Sequence, residues 1–327
     1  MPRLRRSALR LAAAALAALA FGPAGLAAAA WPEDRPIEVI VPFPPAGGVD
    51  AMVRTAVHHA AQHLPGARFV VTNRPGAAGQ VGFEAIFSAA PDGYTLGAVT
   101  NTALNGIAIE RRPRYQVERF SYIANIVDDP GGFWVAADSR LRTLRDLQEA
   151  ARREPDALAV GTAGIGSDDH LLQLAFEAAA SVRLLHVPYP GTAPIITELL
   201  GGRLAVGSLN MSEGLSLMRD GKIRALGQAG PERWPPTGEV PTFVEQGFDV
   251  TGGSARGIAG PPGLPPAILA RLVEAFAATL ADPAFQAEAA RLNLPLRPLS
   301  GDAYRDMMLA NHAALRELWQ RRPWKDQ

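Results

Sequence analysis

Three glycine-bearing loops carry the residue types that could hold an anion. They are residues 42–50 (PFPPAGGVD), 73–80 (NRPGAAGQ) and 162–168 (TAGIGSD). In each loop, small residues separate the end of a predicted strand from the start of a predicted helix, so backbone N–H groups can approach a ligand. The first N–H groups of a helix have no partner within it and carry a partial positive charge. The loops therefore predict electrostatic binding of an anion; the alternative is that glycine and proline only shape tight turns.

Useful affinity requires that several such helix starts converge, because each contributes only about 0.3–1 kcal/mol through its dipole. Ligands of open α/β sheets usually bind beyond the carboxyl ends of the strands, which favours convergence of these loops. Asp50 and Asp168 end two of the loops. Both are predicted to be helix N-caps rather than acid catalysts, because a carboxylate at that position accepts free N–H groups.

Metal, hydrolase and cofactor motifs are incomplete in this sequence. His59 and His63 have the i, i+4 spacing of metal ligands, but no acidic residue separates them as in H-E-x-x-H, and no third ligand is evident. Ser254 follows two glycines without completing G-x-S-x-G, because Arg256 stands where the last glycine would be. The glycines at 76, 79 and 82 are wrongly spaced for a dinucleotide-binding loop. The sequence predicts neither a metal nor a cofactor.

Composition excludes several classes of protein. The 327 residues include 32 Lys+Arg, 32 Asp+Glu and no Cys. A formal net charge of zero argues against a nucleic-acid partner, which needs a basic surface. The absence of Cys excludes disulfide scaffolds, thiolate zinc sites, iron–sulfur clusters and thiol nucleophiles. At roughly 150 residues per domain, the length suggests two domains.

The first thirty residues have the pattern of a secretory signal peptide. Arginines at positions 3, 5, 6 and 10 precede a short stretch rich in Ala and Leu, and Ala28-Ala29-Ala30 supplies an A-x-A cleavage site before Trp31. A membrane anchor is the alternative, but glycine and proline interrupt the apolar run before it reaches the ~20 residues of a spanning helix. We expect export to the periplasm, by a Sec or a Tat route.

The elements that would position the loops alternate along the mature chain. Strands are predicted at residues 37–41, 69–72, 94–99, 133–136, 158–161, 184–187, 204–208 and 223–227. Helical spacing of apolar residues between them predicts strand–helix–strand units with parallel pairing. The fold class is therefore α/β, and the C-terminal helices, predicted to lack strands of their own, return to cover the first domain. The domains are residues 31–128 plus 249–327 (domain I) and 129–248 (domain II), after the signal peptide 1–30.

The sequence also resembles a known family over nearly the whole mature chain. Residues 37–50 and 73–82, together with APDGYTL at 90–96, are similar to the Bug-type substrate-binding proteins of tripartite tricarboxylate transporters. So are residues 161–167 with His170, HVPY at 186–189, LLGG at 199–202, GKIRAL at 221–226, VPT at 240–242 and residues 261–265. The resemblance implies a two-lobed periplasmic binding protein of type II-like architecture, with a mixed, largely parallel sheet in each lobe.

The resemblance further implies which residues bind the ligand, a small carboxylate held in the cleft between the lobes. The loops of domain I would grip one carboxylate, largely through backbone groups, and positions of domain II would complete the cleft. The implied set is Phe43, Pro44, Ala46, Gly47, Gly48, Asp50, Gly76, Ala77, Ala78, Gly79, Asn101, Thr102, Thr162, Gly164, Ser167, Asp168, Tyr189 and Asn210.

Two departures from the family pattern concern the far end of the pocket. Ala205 and Leu209 stand where relatives usually carry Asp, and Ala255-Arg256 replaces an aromatic pair. These changes predict a far end that is less acidic and more cationic than usual. Arg256 either pairs with a second carboxylate of the ligand or, as we expect, is exposed to solvent.

The function expected from these observations is capture of a small organic anion and its delivery to a membrane transporter. The ligand would be a dicarboxylate, a tricarboxylate, an acidic amino acid or an aromatic acid, and the protein would be a non-enzymatic monomer that closes its lobes on it. A periplasmic hydrolase is one alternative, although His170 and His186 have no evident nucleophile partner in the sequence. A ligand-loaded component of a membrane sensor is another.

Overall fold

The computed structural model describes residues 31–45, 47–189, 191–321 and 323–324 of the chain. The predicted signal peptide, residues 1–30, lies outside these ranges. Within them, no helix combines the length and the apolarity required to cross a membrane.

Strands and helices alternate through most of the chain. The first part contains β1 (Ile37–Val41), α1 (Gly48–His63), β2 (Phe69–Asn73), α2 (Gln80–Phe87), β3 (Thr95–Thr100), α3 (Asn101–Glu110) and the long strand β4 (Ser121–Ala136). The middle part contains α4 (Leu144–Arg153), β5 (Ala159–Thr162), α5 (Asp168–Ala180), β6 (Leu185–Pro188), α6 (Thr192–Leu200), β7 (Val206–Asn210), α7 (Met211–Arg219) and β8 (Ile223–Gln228). The last part contains β9 (Gly253–Gly260), α8 (Pro266–Ala281), α9 (Pro283–Arg291), β10 (Leu296–Ser300) and α10 (Asp302–Arg321).

The strands form one mixed sheet in the order β2-β1-β3-β9-β4-β7-β5-β6, and β8 and β10 also pair with β4. The outer pairs, β1 with β2 and β3, and β5 with β6 and β7, are parallel. Every antiparallel pair involves β4 or β9. The prediction of an α/β fold with a mixed sheet is confirmed, with antiparallel pairing at its centre.

Strand β4 divides the molecule into two lobes. Residues 121–130 pair with β9, whereas the following residues pair with β7 and β8. We call the half around β1, β2, β3, β9 and β10 the first lobe, and the half around β5, β6, β7 and β8 the second lobe. Strand β4 thus leaves the first lobe and enters the second near residue 130, close to the predicted domain boundary at residue 128. The domain limits themselves remain a prediction.

The close approach of β4 and β9 at this crossing depends on glycine. Gly253 has φ of +156°, and a Cβ there would lie 2.2 Å from the carbonyl oxygen of Asp129. Any other residue at position 253 would push the two strands apart where the lobes join.

Each lobe has its own apolar core beneath its helices. The predicted helical stripe of α1, which includes Val53, Ala56 and Ala60, is buried against the first-lobe sheet. In the second lobe, Phe133 and Trp134 are fully buried. Helix α4 begins with a capping box: Thr143 Oγ1 accepts from Asp146 N at 3.1 Å, and the Asp146 carboxylate accepts from Thr143 N at 2.9 Å.

One expectation about strands is wrong, and β9 and part of β4 are absent from the predicted strands. The C-terminal helices do contribute a strand, because β10 lies between α9 and α10 and pairs antiparallel with β4. The first half of β4 was also not predicted. Its sequence, SYIANIVDDP, is buried on both faces and so lacks the alternation of apolar and polar residues that marks a half-exposed strand.

Candidate ligand-binding site

A cavity of about 830 Å³ lies between the two lobes. From the first lobe it is lined by the loop before α1, by Ala78, by residues of α3 and by Ser254 and Arg256 of β9. From the second lobe it is lined by residues at the starts of α5, α6 and α7. Its size is within the range of cavities that enclose small molecules.

Helix N-termini surround this cavity. The residue that precedes the helix lines it at Gly47 (α1), Thr100 (α3), Ser167 (α5), Gly191 (α6) and Asn210 (α7), and α2 begins two residues after Ala78. The starts of α1, α2, α3 and α6 have no side-chain cap. The N–H groups at the starts of α1, α3 and α6 therefore remain available to a ligand, whereas Gln80 N–H and Val81 N–H at the start of α2 already donate to the carbonyl oxygens of Ala77 and Gly76. The helix dipoles favour negative charge in the cavity.

Half of the predicted ligand-binding residues line this cavity. They come from both lobes and all three loops: Phe43, Pro44, Gly47, Gly48, Ala78, Thr102, Ser167, Asp168 and Asn210. The structure thus brings the three loops together. Ala46 lies outside the described residues.

The other predicted residues that the structure describes do not line the cavity themselves. Gly76, Ala77 and Gly79 flank Ala78 in a turn where all four residues have positive φ. For the two alanines this left-handed conformation costs roughly 1–2 kcal/mol each. The turn therefore stores backbone strain beside the cavity, as often happens at binding sites.

Asp50 and Asn101 hold loops in place rather than line the cavity. Asn73 Nδ2 donates to Asp50 Oδ1 at 2.9 Å and to the carbonyl oxygen of Phe43 at 3.1 Å, which ties the loop before α1 to the end of β2. Asn101 Oδ1 accepts from Ala255 N at 3.0 Å, which joins α3 to β9.

Thr162, Gly164 and Tyr189 also lie behind the surface of the cavity. The Thr162 hydroxyl is 2.7 Å from His186 Nε2. Gly164 shapes the loop with φ of +111°, and the Tyr189 ring packs beside Gly161.

The N-cap predictions for Asp50 and Asp168 are wrong. Gly47 precedes α1, and Asp50 is the third residue of that helix, where it pairs with Arg54 at 3.0 Å. Ser167 caps α5, its Oγ accepting from His170 N at 3.2 Å, and Asp168 is the first helical residue. In both loops the helix starts earlier than expected, so each carboxylate lies within the first turn.

Arg256 is buried, so the expectation that it is solvent-exposed is wrong. It is 8% exposed and lines the cavity. Its Nε donates to Ser254 Oγ at 3.0 Å, and its Nη2 lies 3.6 Å from Asp129 Oδ2. The guanidinium also lies against the start of α1, because a Cβ on Gly48 would be 2.7 Å from Arg256 Nη1.

Carboxylates surround this guanidinium. Asp129 is fully buried beneath it and accepts hydrogen bonds from the backbone N–H and the hydroxyl of Ser212. Glu213 accepts from Asn210 N at 3.0 Å and from Thr192 Oγ1 at 2.8 Å. Asp168 and Asp169 line the cavity close by.

Asp168, Asp169 and Glu213 line this side of the cavity together with Arg256, and the expectation that its far end is less acidic than in relatives stays a prediction. The charge of Arg256 acts on Asp129 and Glu213, whereas Asp169 is influenced by the carboxylates of Asp168, Glu213 and Asp129. Ala205 and Leu209, the substitutions that predicted lower acidity, pack in the second-lobe core instead.

Burial shifts the ionisation of these acids. It raises the pKa of Asp129 to about 7, although the Arg256 charge and the Ser212 hydrogen bonds act in the opposite direction. Burial also raises the pKa of Asp169 well above its ordinary value, and the charges of Asp168 and Glu213 add to the rise.

Sequence reasoning missed several cavity residues: Thr100, Thr192, Ser212, Glu213, Ser254 and Trp324. One signal was available, since Asn210 followed by Glu213 has the spacing of a helix start with an acid at its third position. No sequence pattern marks Trp324 as a cavity residue, because its position at the cavity depends on where the chain runs after α10.

The side chains that would serve a metal site or a hydrolase make other contacts in the structure. His59 Nε2 lies 2.8 Å from Glu288, and His63 Nε2 lies 3.1 Å from Asp282. The Ser167 hydroxyl caps α5, and that of Ser254 accepts from Arg256. His170 stacks on His186 with ring centroids 3.9 Å apart.

Several known proteins are similar to this chain in sequence and in architecture. The family model described as "Tripartite tricarboxylate transporter family receptor" matches residues 52–317. BugT of Bordetella pertussis is 32% identical over 266 residues, which cover 76% of this chain and 81% of BugT. Two solved structures are also similar to this chain. One is a ligand-free TctC solute-binding protein from Polaromonas, and the other is a protein of R. palustris with adipate.

The agreement in three dimensions extends over nearly the whole chain. The Polaromonas structure has a TM-score of 0.79 and 30% identity and covers 89% of this chain and 100% of its own. The R. palustris structure has a TM-score of 0.75 and 26% identity, with 89% and 98% covered. Both the family model and the two-lobed fold therefore lead to one conclusion: the chain belongs to the tripartite tricarboxylate transporter receptor family, whose members are solute-binding receptors.

Proposed function

We propose that this protein captures a small carboxylate in the cavity between its lobes and delivers it to the membrane subunits of a tripartite tricarboxylate-type transporter. It acts in the periplasm as a monomer, after export directed by residues 1–30. The ligand is a small organic acid rather than a sugar or a simple amine.

The observation that carries this proposal is the convergence of five helix starts, those of α1, α3, α5, α6 and α7, on one cavity. At about 0.3–1 kcal/mol each, five dipoles supply a few kcal/mol toward an anion. Hydrogen bonds from uncapped N–H groups and from Thr102 and Ser167 add about 0.5–1.5 kcal/mol each. Together these contributions are of the size required for micromolar binding, about 8 kcal/mol.

The similar proteins support the same class of ligand. The R. palustris structure, 26% identical to this chain, contains adipate, a small dicarboxylate. The cavity of this chain has hydrogen-bond donors contributed by both lobes.

The mechanism follows from the position of the cavity. A ligand that touches the start of α1 in the first lobe and the start of α5 in the second stabilises the arrangement in which the lobes are close. The lobes already approach at α3, where a Cβ on Gly106 would lie 3.9 Å from the carbonyl oxygen of Gly166. Closure then presents one combined surface to the membrane subunits.

Thermal unfolding in the presence of a panel of carboxylates tests the proposal. A ligand at 100 times its dissociation constant adds about 2.7 kcal/mol of stability, which raises the midpoint by several degrees. At least one dicarboxylate, tricarboxylate, acidic amino acid or aromatic acid should do so. If no acid shifts the midpoint and a sugar does, carboxylate capture is wrong.

A further inference from the structure

Arg256 is a buried guanidinium whose two terminal nitrogens make no hydrogen bond within the described residues. The side chain is 8% exposed and lines the cavity between the lobes. Its one hydrogen bond to the part of the chain that the structure describes is the donation from Nε to Ser254 Oγ. Nη2 lies 3.6 Å from Asp129 Oδ2, which is within ion-pair range but too long for a hydrogen bond. Buried donors are rarely left without acceptors, so Nη1 and Nη2 are available to a group that enters the cavity.

Nη1 also lies beside a second group that attracts anions, the start of α1. A Cβ on Gly48 would be 2.7 Å from Nη1, and Gly48 and Arg256 both line the cavity. The start of α1 has no side-chain cap, so its first N–H groups lack side-chain acceptors. The backbone N–H groups of a helix start and the paired N–H groups of a guanidinium are both suited to the oxygens of a carboxylate. Here the two kinds of donor are in contact.

The acidic side chains around Arg256 do not exclude an anion. Asp168, Asp169 and Glu213 line the same cavity, and Asp129 is fully buried beside the guanidinium. Burial raises the pKa of Asp129 to about 7 and raises that of Asp169 well above its ordinary value. A carboxyl that holds a proton carries no charge, so it neither repels an anion nor neutralises Arg256.

Asp129 and an anion in the cavity compete for the same positive charge. Arg256 on β9 and the hydrogen bonds from Ser212 on α7 lower the pKa of Asp129, whereas the charge of Glu213 on α7 raises it. Asp169 on α5 also interacts electrostatically with Asp129. An anion bound to Arg256 places a further negative charge near Asp129 and weakens the compensation by the guanidinium. The proton affinity of Asp129 therefore rises when an anion binds.

Building on the proposed function, we propose that Arg256 binds the carboxylate of the ligand together with the start of α1, and that Asp129 takes up a proton from solvent as the ligand binds. Arg256 is then a specificity-determining residue, because its planar fork of N–H groups is complementary to an acceptor with two oxygens. Lower pH favours binding, since a protonated Asp129 leaves the charge of the guanidinium to the ligand.

Calorimetric titration of the intact protein at pH 7 tests both parts. The probes are succinate, adipate, citrate, glutamate, benzoate and any further acid that raises the unfolding midpoint. Each titration is repeated in bis-tris, imidazole and Tris, which differ in ionisation enthalpy and, being cationic, do not compete for an anion site. The slope of binding enthalpy against buffer ionisation enthalpy gives the number of protons taken up. We expect about 0.4 proton per ligand for a rise of roughly one unit in the pKa of Asp129, and an affinity that falls from pH 6 to pH 8.

Substitutions of each member of the pair separate the two roles. Arg256→Gln should weaken binding about tenfold or more, the usual effect of losing charge-assisted hydrogen bonds. Arg256→Lys, which keeps the charge without the fork, should weaken it less. Asp129→Asn should bind at least as tightly as the wild type, without proton uptake and with little change of affinity between pH 6 and pH 8.

Arg305→Gln is the matched control, because Arg305 is exposed in the same lobe and pairs with Asp302 and Asp306. It should alter neither affinity nor proton uptake. If Arg256→Gln does not fold, the double variant Asp129→Asn/Arg256→Gln replaces it with the same expected loss of affinity, since it leaves neither member of the pair charged.

The outcomes distinguish this inference from the function on which it rests. If Arg256→Gln binds an acid as tightly as the wild type does, Arg256 does not hold the carboxylate, and carboxylate capture stands. If the wild type takes up no proton, or if uptake persists in Asp129→Asn, the role of Asp129 is wrong. If no acid binds to the wild type or shifts its unfolding midpoint, the proposed function itself fails.

Discussion

At the scale of single residues, the pair formed by Arg256 and Asp129 links the cavity to the crossing between lobes. Asp129 belongs to β4, where the strand passes from one lobe to the other, and Arg256 belongs to β9 beside it. Both side chains are nearly inaccessible to solvent. A buried ion pair adds little net stability, but loss of one member leaves the other without compensation.

We expect Arg256→Met to lower the free energy of unfolding by about 1–2 kcal/mol more at pH 8 than at pH 5, because the variant loses the charge that lowers the pKa of Asp129 and this carboxyl then keeps its proton at pH 8. At pH 5 the loss should be smaller, because Asp129 then binds a proton. Urea denaturation at both pH values measures the difference. The double variant Asp129→Asn/Arg256→Met should recover much of the loss at pH 8. An equal loss at both pH values would point to packing instead of charge.

The raised pKa of Asp129 predicts a pH dependence with a definite sign. Between pH 4 and about 7 the folded protein retains a proton that the unfolded chain releases, so this group stabilises the fold at low pH and loses that effect as the pH rises. Its contribution is at most about 4 kcal/mol, from a shift of roughly three units at 1.36 kcal/mol each.

The measurement is the difference in unfolding midpoint between the wild type and Asp129→Asn, taken from pH 5 to pH 8. This comparison is needed because burial lowers the pKa of His186 and of His312, which gives an opposite trend common to both proteins. The unfolding midpoint of Asp129→Asn should increase relative to that of the wild type as the pH rises. A constant difference would contradict the prediction.

At the scale of elements, the start of α1 combines a structural and a binding role. Gly48→Ala places a Cβ 2.7 Å from Arg256 Nη1, so the guanidinium must move. Ligand affinity should fall about tenfold, measured by calorimetry. Unfolding free energy should change by less than about 1 kcal/mol, since alanine is the better helix former.

Gly47→Ala provides the comparison for this variant. Its Cβ would lie 3.6 Å from the nearest atom, the carbonyl oxygen of Pro44, which is an ordinary contact distance. It should weaken binding less than Gly48→Ala does. The reverse order would show that displacement of Arg256 does not matter to the ligand.

The sequence allowed prediction of the elements that follow local rules. Strand β1 is composed mostly of β-branched residues, helix α4 begins with a capping residue and α1 has helical spacing of apolar residues. Each of these signals can be read directly from the sequence. Strand β9 (GSARGIAG) follows no such rule, because glycine replaces β-branched residues where strands and helix approach closely. The loops of the cavity were found from their glycines.

The charges at the far end of the cavity could not be found in the same way. Arg256, Asp129, Asp168 and Glu213 come from β9, β4, α5 and α7, which are distant in sequence. Their interaction depends on the three-dimensional crossing of the lobes. An isolated arginine in a sequence is therefore expected to be exposed, and only tertiary structure shows otherwise.

At the scale of the whole molecule, Trp324 connects the lobes a second time. It follows α10, is 1% exposed, and packs with Leu315 of α10 and with Leu171 and Leu174 of α5 in the second lobe. A Cβ on Gly166 would lie 3.3 Å from its indole nitrogen. Trp324 thus packs against the loop that leads into α5.

We expect Trp324→Ala to lower the free energy of unfolding by about 3–5 kcal/mol, the usual cost of removing a large buried aromatic side chain. Small-angle X-ray scattering of the ligand-free variant should also show a larger radius of gyration, because one contact between the lobes is lost. Trp324→Phe should retain most of both properties. Unchanged stability in Trp324→Ala would mean that the side chain is not held between the lobes.

Strand β4 limits how chimeras of such receptors can be built by exchange of lobes. One strand completes the sheets of both lobes, so neither sheet is intact without residues contributed by the same sixteen-residue segment. A chimera that exchanges one lobe with that of a relative has to be spliced inside a strand, near Pro130 and Gly131, where ladder hydrogen bonds on both sides must be kept in register. Changes of ligand preference in this architecture are therefore easier to obtain by substitutions in the loops than by exchange of lobes.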